Sequence, residues 1–301
     1  HLAWEEGNMQ QAETLLRAQL PKAGREDLRG FEWRYLWNLC QDESRLTFTN
    51  VNFARDINAG NGPGLALMAD GRTLVAASSN TLRWLDLENG REIQTLTAGL
   101  KPVRAIAASL AQPGLLAYLA DKIQIISPGG EKLLGGGVVD AGSSRLALSP
   151  DGSLLASLGQ FTMKVKLFDL KSGKQVAEEK PFKNQMLNVT FSPDGKYLAC
   201  AGGDPRWIFI FEVPSLKPFK TLQGHTAFVY GLAFDPSGRR LASSGNDSHI
   251  ILWNFPEGQE VARLKGHHGP VRDLAFAPNG RLLASAGTVH TVRLWALDSP
   301  G

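Results

Sequence analysis

One short turn pattern recurs six times along the chain. Its clearest copy is Ser192-Pro193-Asp194-Gly195, in which proline presets the backbone of a type I turn and glycine closes it. The closing glycines are spaced 43, 38, 43, 43 and 42 residues apart. A near-constant period of this length indicates a repeat architecture in which each unit stacks on its neighbours. The closing glycines are Gly71, Gly114, Gly152, Gly195, Gly238 and Gly280.

Each turn lies between two short apolar runs, and a third run follows it. Around Gly195 these runs are Val189–Phe191, Leu198–Cys200 and Ile208–Phe211. Runs of branched and aromatic residues bounded by turn residues are typical of β-strands. A fourth, more polar run such as Glu260–Leu264 falls between repeats and is typical of an edge strand. The sequence therefore predicts four-stranded units, whose radial stacking makes a β-propeller.

Composition and charge argue against several other classes of protein. With 43% hydrophobic residues the chain can bury a large core. The net charge is only +3, and no long run of one sign offers a nucleic-acid-binding arm. No apolar run is long enough to span a bilayer. We therefore expect no nucleic-acid partner and no direct membrane contact from this segment.

The sequence carries no motif for catalysis or metal binding. A phosphate-binding loop, a Gly-x-Ser-x-Gly elbow and a His-Glu-x-x-His motif are all missing. The two cysteines make neither a disulfide framework nor a zinc site, and His267 and His268 are adjacent, which is poor spacing for joint ligation. We therefore predict no catalytic residues, no metal and no cofactor.

The last two repeats resemble the WD40 family. The residues that carry this resemblance are Leu222-Gln223-Gly224-His225, Leu241-Ala242-Ser243, Asp247 and Leu252-Trp253-Asn254 in the fifth repeat, and Leu264-Lys265-Gly266-His267, Ser285 and Leu294-Trp295-Ala296 in the sixth. The resemblance extends, more weakly, over roughly residues 46–296. It implies an all-β, WD40-type β-propeller of six four-stranded blades.

The resemblance also implies a hydrogen-bonded network within a blade, made by histidine, serine, aspartate and tryptophan. It is complete once, as His225, Ser243, Asp247 and Trp253. In the sixth repeat Val289 takes the aspartate position. The members left there are His267, Ser285 and Trp295. Upstream, Phe182 replaces the histidine and Phe168 or Phe211 replaces the tryptophan, so those blades should depend more on packing.

A partner-binding face is expected around the mouth of the central channel. In the WD40 family, residues that flank the first branched residue of each innermost strand, here Val229 and Val271, reach that face. Alternation of side chains along a strand should turn the flanking residues away from the core. Aromatic and arginine side chains are favoured in protein interfaces. The predicted partner-binding residues are Phe228, Tyr230, Arg272, Arg104 and Gln185, with Trp207 near the turn before a third strand.

The N-terminal residues follow a different pattern. Leucines recur at helical spacing until Pro21, and a second predicted helix carries Trp33 and Trp37 one turn apart. We therefore predict a helical segment over residues 1–44, partly like a helical repeat, and the propeller over residues 45–301.

The last repeat stops after its third strand. In WD40 propellers an N-terminal segment usually supplies the missing fourth strand, and Arg45–Thr49 stands at that place. One hypothesis is therefore a closed six-bladed ring. The alternative is a partial array within a longer protein.

The leading functional hypothesis is a rigid scaffold that binds a protein or peptide, monomeric as a fragment of a longer bacterial protein. The segment Asp27–Trp37 resembles one that precedes the repeats in large bacterial WD40 proteins, many of which carry a Ser/Thr kinase domain. The sensory part of a receptor-like kinase is therefore an alternative, with a cytoplasmic location, or a periplasmic one if a membrane helix precedes His1. A propeller hydrolase is a third hypothesis. It requires catalytic side chains in the channel, where the sequence offers chiefly alanines.

Overall fold

The computed structural model describes residues 65–109, 112–120, 122–126, 143–159, 162–277, 279–288 and 291–297. These residues belong to the larger of the two units into which the chain divides, Thr49–Gly301. They form strands and turns, with no helix among them. The predicted helical segment 1–44 and the predicted domain boundary at residue 45 lie outside the described residues. Within the described part, no helix is long and apolar enough to cross a membrane.

The described residues form 22 strands in six antiparallel sheets. The strands of the first three sheets are β1 (Leu65–Leu67), β2 (Thr73–Ser78), β3 (Thr81–Asp86), β4 (Glu92–Thr97), β5 (Ala105–Ala108), β6 (Leu116–Leu119), β7 (Ile123–Ile126), β8 (Ser143–Leu148), β9 (Leu154–Gly159), β10 (Lys164–Asp169) and β11 (Gln175–Glu179). The strands of the last three are β12 (Met186–Phe191), β13 (Tyr197–Gly202), β14 (Ile208–Glu212), β15 (Lys217–Leu222), β16 (Val229–Phe234), β17 (Arg240–Gly245), β18 (Ile250–Asn254), β19 (Glu260–Leu264), β20 (Val271–Phe276), β21 (Leu282–Gly287) and β22 (Val292–Ala296).

Each sheet is one blade of a six-bladed propeller, and within it the strands lie side by side in chain order. Four blades have four strands, which confirms the predicted unit. The second and sixth blades have three described strands each. The residues that follow β7, 127–142, and the predicted closing segment 45–49 lie outside the described residues.

The recurring turn joins the first and second strands of a blade. In the fourth blade, the amide of Gly195 donates to the carbonyl of Ser192 at 2.9 Å, and the hydroxyl of Ser192 donates to Asp194 at 2.6 Å. Gly195 has a φ of +71°, in the left-handed region that costs glycine little. All six closing glycines have a positive φ, as the turn pattern predicted.

The hydrophobic core lies between the blades. The innermost strand of each blade packs against that of the next, from β1 through β5, β8, β12 and β16 to β20. Each of these five junctions has its own buried cluster. Between the third and fourth blades, for example, Leu167 faces Phe182, Met186 and Phe211. Phe182 is 2% exposed, and burial of a side chain of this size stabilises the fold by about 1.5–3 kcal/mol.

The faces of the sixth and first blades that lie at the ends of this series are exposed. Val292 and Leu294 in β22 are 73% and 70% exposed, and Leu65 and Leu67 in β1 are 43% and 46% exposed. Among the described residues, no buried cluster joins these two blades. Closure of the ring by residues 45–49 therefore stays a prediction.

Candidate functional site

The innermost strands of the last four blades each contain a register shift near their start. In β16, Val229 pairs with Gly245 and Gly231 with Ser244, so that Tyr230 is an extra residue in a β-bulge. Val229 and Leu232 consequently reach the same buried cluster, although simple alternation would separate them. Our expectation of regular alternation was therefore wrong, because the bulge decides which way Tyr230 faces. The four shifts lie between Ser143 and Arg145, Met186 and Asn188, Val229 and Gly231, and Val271 and Asp273.

Tyr230 and Arg272 contact each other across two neighbouring blades. Each is the extra residue of its own bulge, at equivalent places in β16 and β20. The guanidinium carbon of Arg272 lies 4.2 Å from the ring centroid of Tyr230, within the range of a cation–π interaction. Tyr230 is half-buried and Arg272 is exposed. The pair is therefore an ordered aromatic and cationic surface at the rim where the innermost strands begin, which we call the upper rim.

The other predicted partner-binding residues are more dispersed. Phe228 is half-buried, and its ring packs close to Gly203 of the fourth blade. A Cβ atom added to Gly203 would lie 3.2 Å from the Phe228 ring. Gln185 is exposed, whereas Arg104 is half-buried and donates to the carbonyl of Ala120 at 3.3 Å. Trp207 is 38% exposed, and its ring centroid lies 6.2 Å from that of Phe209. The structure thus brings Tyr230 and Arg272 into contact and places Phe228 against the neighbouring blade.

A second set of residues on these strands was missed by the sequence analysis. In the last four blades it occupies the position directly after the extra residue, and Ala105 stands at the equivalent sequence position of the second blade. Asn188 at this position donates from Nδ2 to the carbonyl of Tyr230 at 2.8 Å and so connects two blades. The sequence could have indicated this position, because three of the repeats have a polar residue there and the other two have alanine or glycine. The equivalent residues are Ala105, Arg145, Asn188, Gly231 and Asp273.

Arg145 and Asp273 in this set carry opposite charges and lie in the third and sixth blades. Burial lowers the pKa of Arg145, and the negative charge of Asp273 opposes that shift. Burial raises the pKa of Asp273, against the hydrogen bond from the Leu274 amide and the charge of Arg145. Asp273 is nevertheless exposed to water. Both observations fit a side chain that faces a water-accessible channel enclosed by protein.

The fifth blade contains a continuous hydrogen-bonded network. The indole N–H of Trp253 donates to Oγ of Ser243 at 2.9 Å, and that oxygen lies 2.8 Å from Nε2 of His225. Nδ1 of His225 lies 2.9 Å from Oδ2 of Asp247, which also accepts the amide of Thr226 at 2.9 Å. Because tryptophan can only donate, the Ser243 hydroxyl can donate to Nε2, which leaves the proton of a neutral His225 on Nδ1.

Three of these residues have the connectivity of a serine hydrolase triad, with serine on one histidine nitrogen and aspartate on the other. Ser243 is fully buried, however, and its oxygen is already engaged by Trp253. A nucleophile must reach the substrate's carbonyl carbon. The arrangement therefore stabilises the blade and does not form an accessible nucleophile.

The sixth blade contains a shorter version of the network. Trp295 donates to Oγ of Ser285 at 2.8 Å, and Nε2 of His267 lies 2.7 Å from the same oxygen. The hydroxyl of Thr291 lies 3.4 Å from Nδ1 of His267, a longer contact than the carboxylate makes in the fifth blade. Burial lowers the pKa of His267, followed by the charges of Arg293 and His268. Val289, which stands at the aspartate position of the sixth repeat, lies outside the described residues.

Among the described residues, the remaining groups with possible reactivity would be a metal-binding cluster and the thiol of Cys200. That part of the chain holds no group of three or more His, Cys, Asp or Glu side chains that could bind a metal ion. Cys200 is fully buried in β13, and burial raises the pKa of its thiol. It therefore remains protonated and unreactive at neutral pH.

The comparison with known families agrees with the geometry of the last blades. The family model described as WD domain, G-beta repeat, matches residues 216–254 and 258–296. Each match spans the outermost strand of one blade and the first three strands of the next. No curated protein matches the chain.

Proposed function

Because the chain is a six-bladed β-propeller with WD40 repeats over residues 216–254 and 258–296, we propose that it is a protein-interaction scaffold whose partner binds the upper rim around the channel mouth. WD40 propellers commonly serve as such scaffolds and are typically non-enzymatic. The fold by itself assigns no partner, so the proposal depends on the surface this chain presents.

The contact between Tyr230 and Arg272 is the observation that carries this proposal. Tyrosine and arginine are enriched among the residues that dominate binding energy in protein interfaces. Stacking on Tyr230 holds the exposed Arg272 in one place, which reduces the entropy lost when a partner binds. Phe228 and Gln185 extend this surface toward the fourth blade.

The proposal is tested with the variants Tyr230→Ala and Arg272→Ala. Proteins that bind the immobilised 301-residue chain are captured from an extract of the source cell, identified, and titrated against each purified variant. We expect each substitution to reduce the binding free energy by about 1–3 kcal/mol, and so to raise the dissociation constant, with little change in the unfolding temperature.

Arg281→Ala is the matched control. Arg281 is exposed in the same blade, but it lies in the turn at the far end of β20, away from the upper rim. We expect this variant to bind as the parent does. Equal loss of binding in the control, or full binding by both rim variants, contradicts the proposed surface.

A further inference from the structure

Two loops are joined by hydrogen bonds at the upper end of the fourth blade. One, residues 180–185, leads into the innermost strand β12, and the other, residues 203–207, connects β13 to β14. The amide of Lys183 donates to the carbonyl of Asp204 at 2.9 Å, and the amide of Asp204 donates to Oδ1 of Asn184 at 2.7 Å. These bonds fix the two loops relative to each other, and we call them the loop pair.

The loop pair exposes more positive than negative charge. Lys180, Lys183 and Arg206 are exposed, and Asp204 is the single carboxylate within the two loops. Even with Glu179, the residue before the first loop, cations outnumber carboxylates. Among the described residues, none of the three cations takes part in an ion pair. Their charges are therefore available to carboxylates of another molecule.

Trp207 adds an anchored aromatic ring to this surface. Its side chain is 38% exposed, and its ring centroid lies 6.2 Å from that of Phe209. Phe209 packs at a right angle against Phe182, which belongs to the first loop and is 2% exposed, with 5.0 Å between the ring centroids. A tryptophan held in this way loses little side-chain entropy when a ligand binds. Tryptophan is also enriched among the residues that dominate binding energy in interfaces.

The loop pair is continuous with the upper rim. The amide of Gly203 donates to the carbonyl of Gln185 at 2.8 Å, and the ring of Phe228 in the fifth blade packs close to Gly203. Phe228 stands two residues before Tyr230, whose ring contacts Arg272. A partner segment that lies on Tyr230 and Arg272 can therefore reach the loop pair by crossing Phe228.

We propose that the loop pair binds an acidic segment of the partner, with carboxylates on Lys183 and Arg206 and a large apolar side chain on Trp207. This inference rests on the proposed function and specifies the chemistry of the partner. A single-stranded nucleic acid matches less well, because its successive bases stack on several aromatic rings. The loop pair, which lies wholly within the described residues, exposes only the ring of Trp207.

The test uses three peptides titrated into the isotope-labelled 301-residue chain. They are acetyl-Glu-Glu-Phe-Glu-Glu-amide, its counterpart with Gln in place of each Glu, and its counterpart with Ala in place of Phe. The indole N–H signal of Trp207, assigned from its loss in Trp207→Phe, reports binding by NMR.

We expect the Glu peptide to bind at least ~10-fold more tightly than the Gln peptide, because only carboxylates pair with the cations. It should bind ~3-fold more tightly than the Ala peptide, which lacks the apolar contact with Trp207. Equal affinity for the Glu and Gln peptides, or tighter binding of a thymidine oligonucleotide, overturns the proposal. Equal affinity for the Phe and Ala peptides overturns the role of Trp207.

Variants of the chain decide which side chains are responsible. Lys183→Gln and Arg206→Gln should each bind the Glu peptide ~3-fold less tightly, as expected for exposed ion pairs. Asp204→Asn should bind it ~2-fold more tightly, because a repelling charge is removed, and a loss of structure cannot produce this gain. Lys196→Gln is the matched control and should bind as the parent does, since Lys196 is exposed in the turn at the other end of the same blade. Parent-like binding by both cation variants, equal loss in the control, or no gain in Asp204→Asn overturns the assignment.

The outcome is separable from that of the proposed function. If the Glu peptide fails to bind but Tyr230→Ala still loses the captured partner, only the loop-pair site is wrong. If the Glu peptide binds through Lys183 and Arg206 and the rim variants keep every partner, the surface at Tyr230 and Arg272 is wrong and the loop-pair site stands.

Discussion

Nδ1 of His225 lies 2.9 Å from one carboxylate oxygen of Asp247 and 3.1 Å from the other. The two side chains are 1% and 4% exposed. Asp247 also accepts the amides of Thr226 at 2.9 Å and His249 at 3.2 Å, so it anchors the loop before β16 to the loop before β18. One carboxylate thus connects two loops of the fifth blade at the upper rim.

We expect Asp247→Ala to lower the free energy of unfolding by about 1–3 kcal/mol, because the His225 ring and the amides of Thr226 and His249 lose their acceptor. The measurement is urea denaturation of the parent and the variant. Glu257→Ala removes an exposed carboxylate from the same blade and should leave stability within about 0.5 kcal/mol of the parent. If the two variants are equally stable, the network contributes nothing to the blade.

The pKa of Asp247 gives a prediction for acid stability. Burial alone would raise this pKa, but the hydrogen bond and charge of His225, with two backbone amides, lower it to about 2. An unfolded chain has an aspartate pKa of about 3.9. The group therefore contributes stability that is fully present above about pH 4 and is lost as the pH falls toward 2.

The contribution of Asp247 is isolated by comparing the parent with Asp247→Asn. Unfolding free energies are measured by urea denaturation at intervals from pH 5 to pH 2.5. The parent should lose stability more steeply than the variant across this window, because asparagine does not titrate. Parallel curves for the two proteins would show that His225 does not hold the carboxylate in its charged form.

Some of this site could be predicted from sequence spacing. The residues His225, Ser243, Asp247 and Trp253 occupy fixed places relative to the recurring turns. Their side chains meet because Ser243 and Trp253 lie in adjacent strands, and His225 and Asp247 lie in the loops before β16 and β18. The turn period likewise predicted the six sheets and the four-stranded unit. Local chemistry and repeat length are enough for these features.

The direction of the rim side chains could not be predicted in the same way. An extra residue in a strand does not change which residues are apolar. The sequence therefore could not indicate that the side chains of Val229 and Leu232, three residues apart, both face the same buried cluster. The register shift is decided by pairing with β17, which is a property of the folded sheet. The same kind of register shift lies directly before Arg145 and Asp273. The direction of their side chains therefore could not be predicted from regular alternation either.

The sixth repeat offers a gain-of-stability test. Val289 stands 22 residues after His267, as Asp247 stands 22 residues after His225. We expect Val289→Asp to raise the pKa of His267, which burial lowers first and Arg293 and His268 lower further. The unfolding free energy should rise by about 1 kcal/mol, as is typical of an added hydrogen bond. Asp247→Val is the reciprocal control and should lose stability.

The pH dependence separates this effect from a change in packing. A histidine whose folded pKa is lowered contributes stability above its unfolded pKa of about 6.5, and that stability is lost as the pH falls. The parent should therefore become less stable between pH 7.5 and pH 5.5 through His267, and Val289→Asp should reduce that loss. A variant that is more stable but has the parent's pH dependence would indicate packing and not a new carboxylate–imidazole contact.

The last prediction concerns the exposed face of the sixth blade. Val292 and Leu294 are 73% and 70% exposed, and burial of one such side chain stabilises a fold by about 1.5–3 kcal/mol. Edge strands with unpaired backbone groups and apolar side chains promote aggregation.

If Leu46–Phe48 pairs antiparallel with Val292–Trp295, removal of residues 1–50 should cause aggregation or a lower unfolding temperature. A chain that lacks only residues 1–40 keeps this segment and should behave as the full chain in size-exclusion chromatography and thermal unfolding. Equal solubility and equal midpoints for the two truncations would mean that residues 41–50 do not close the ring.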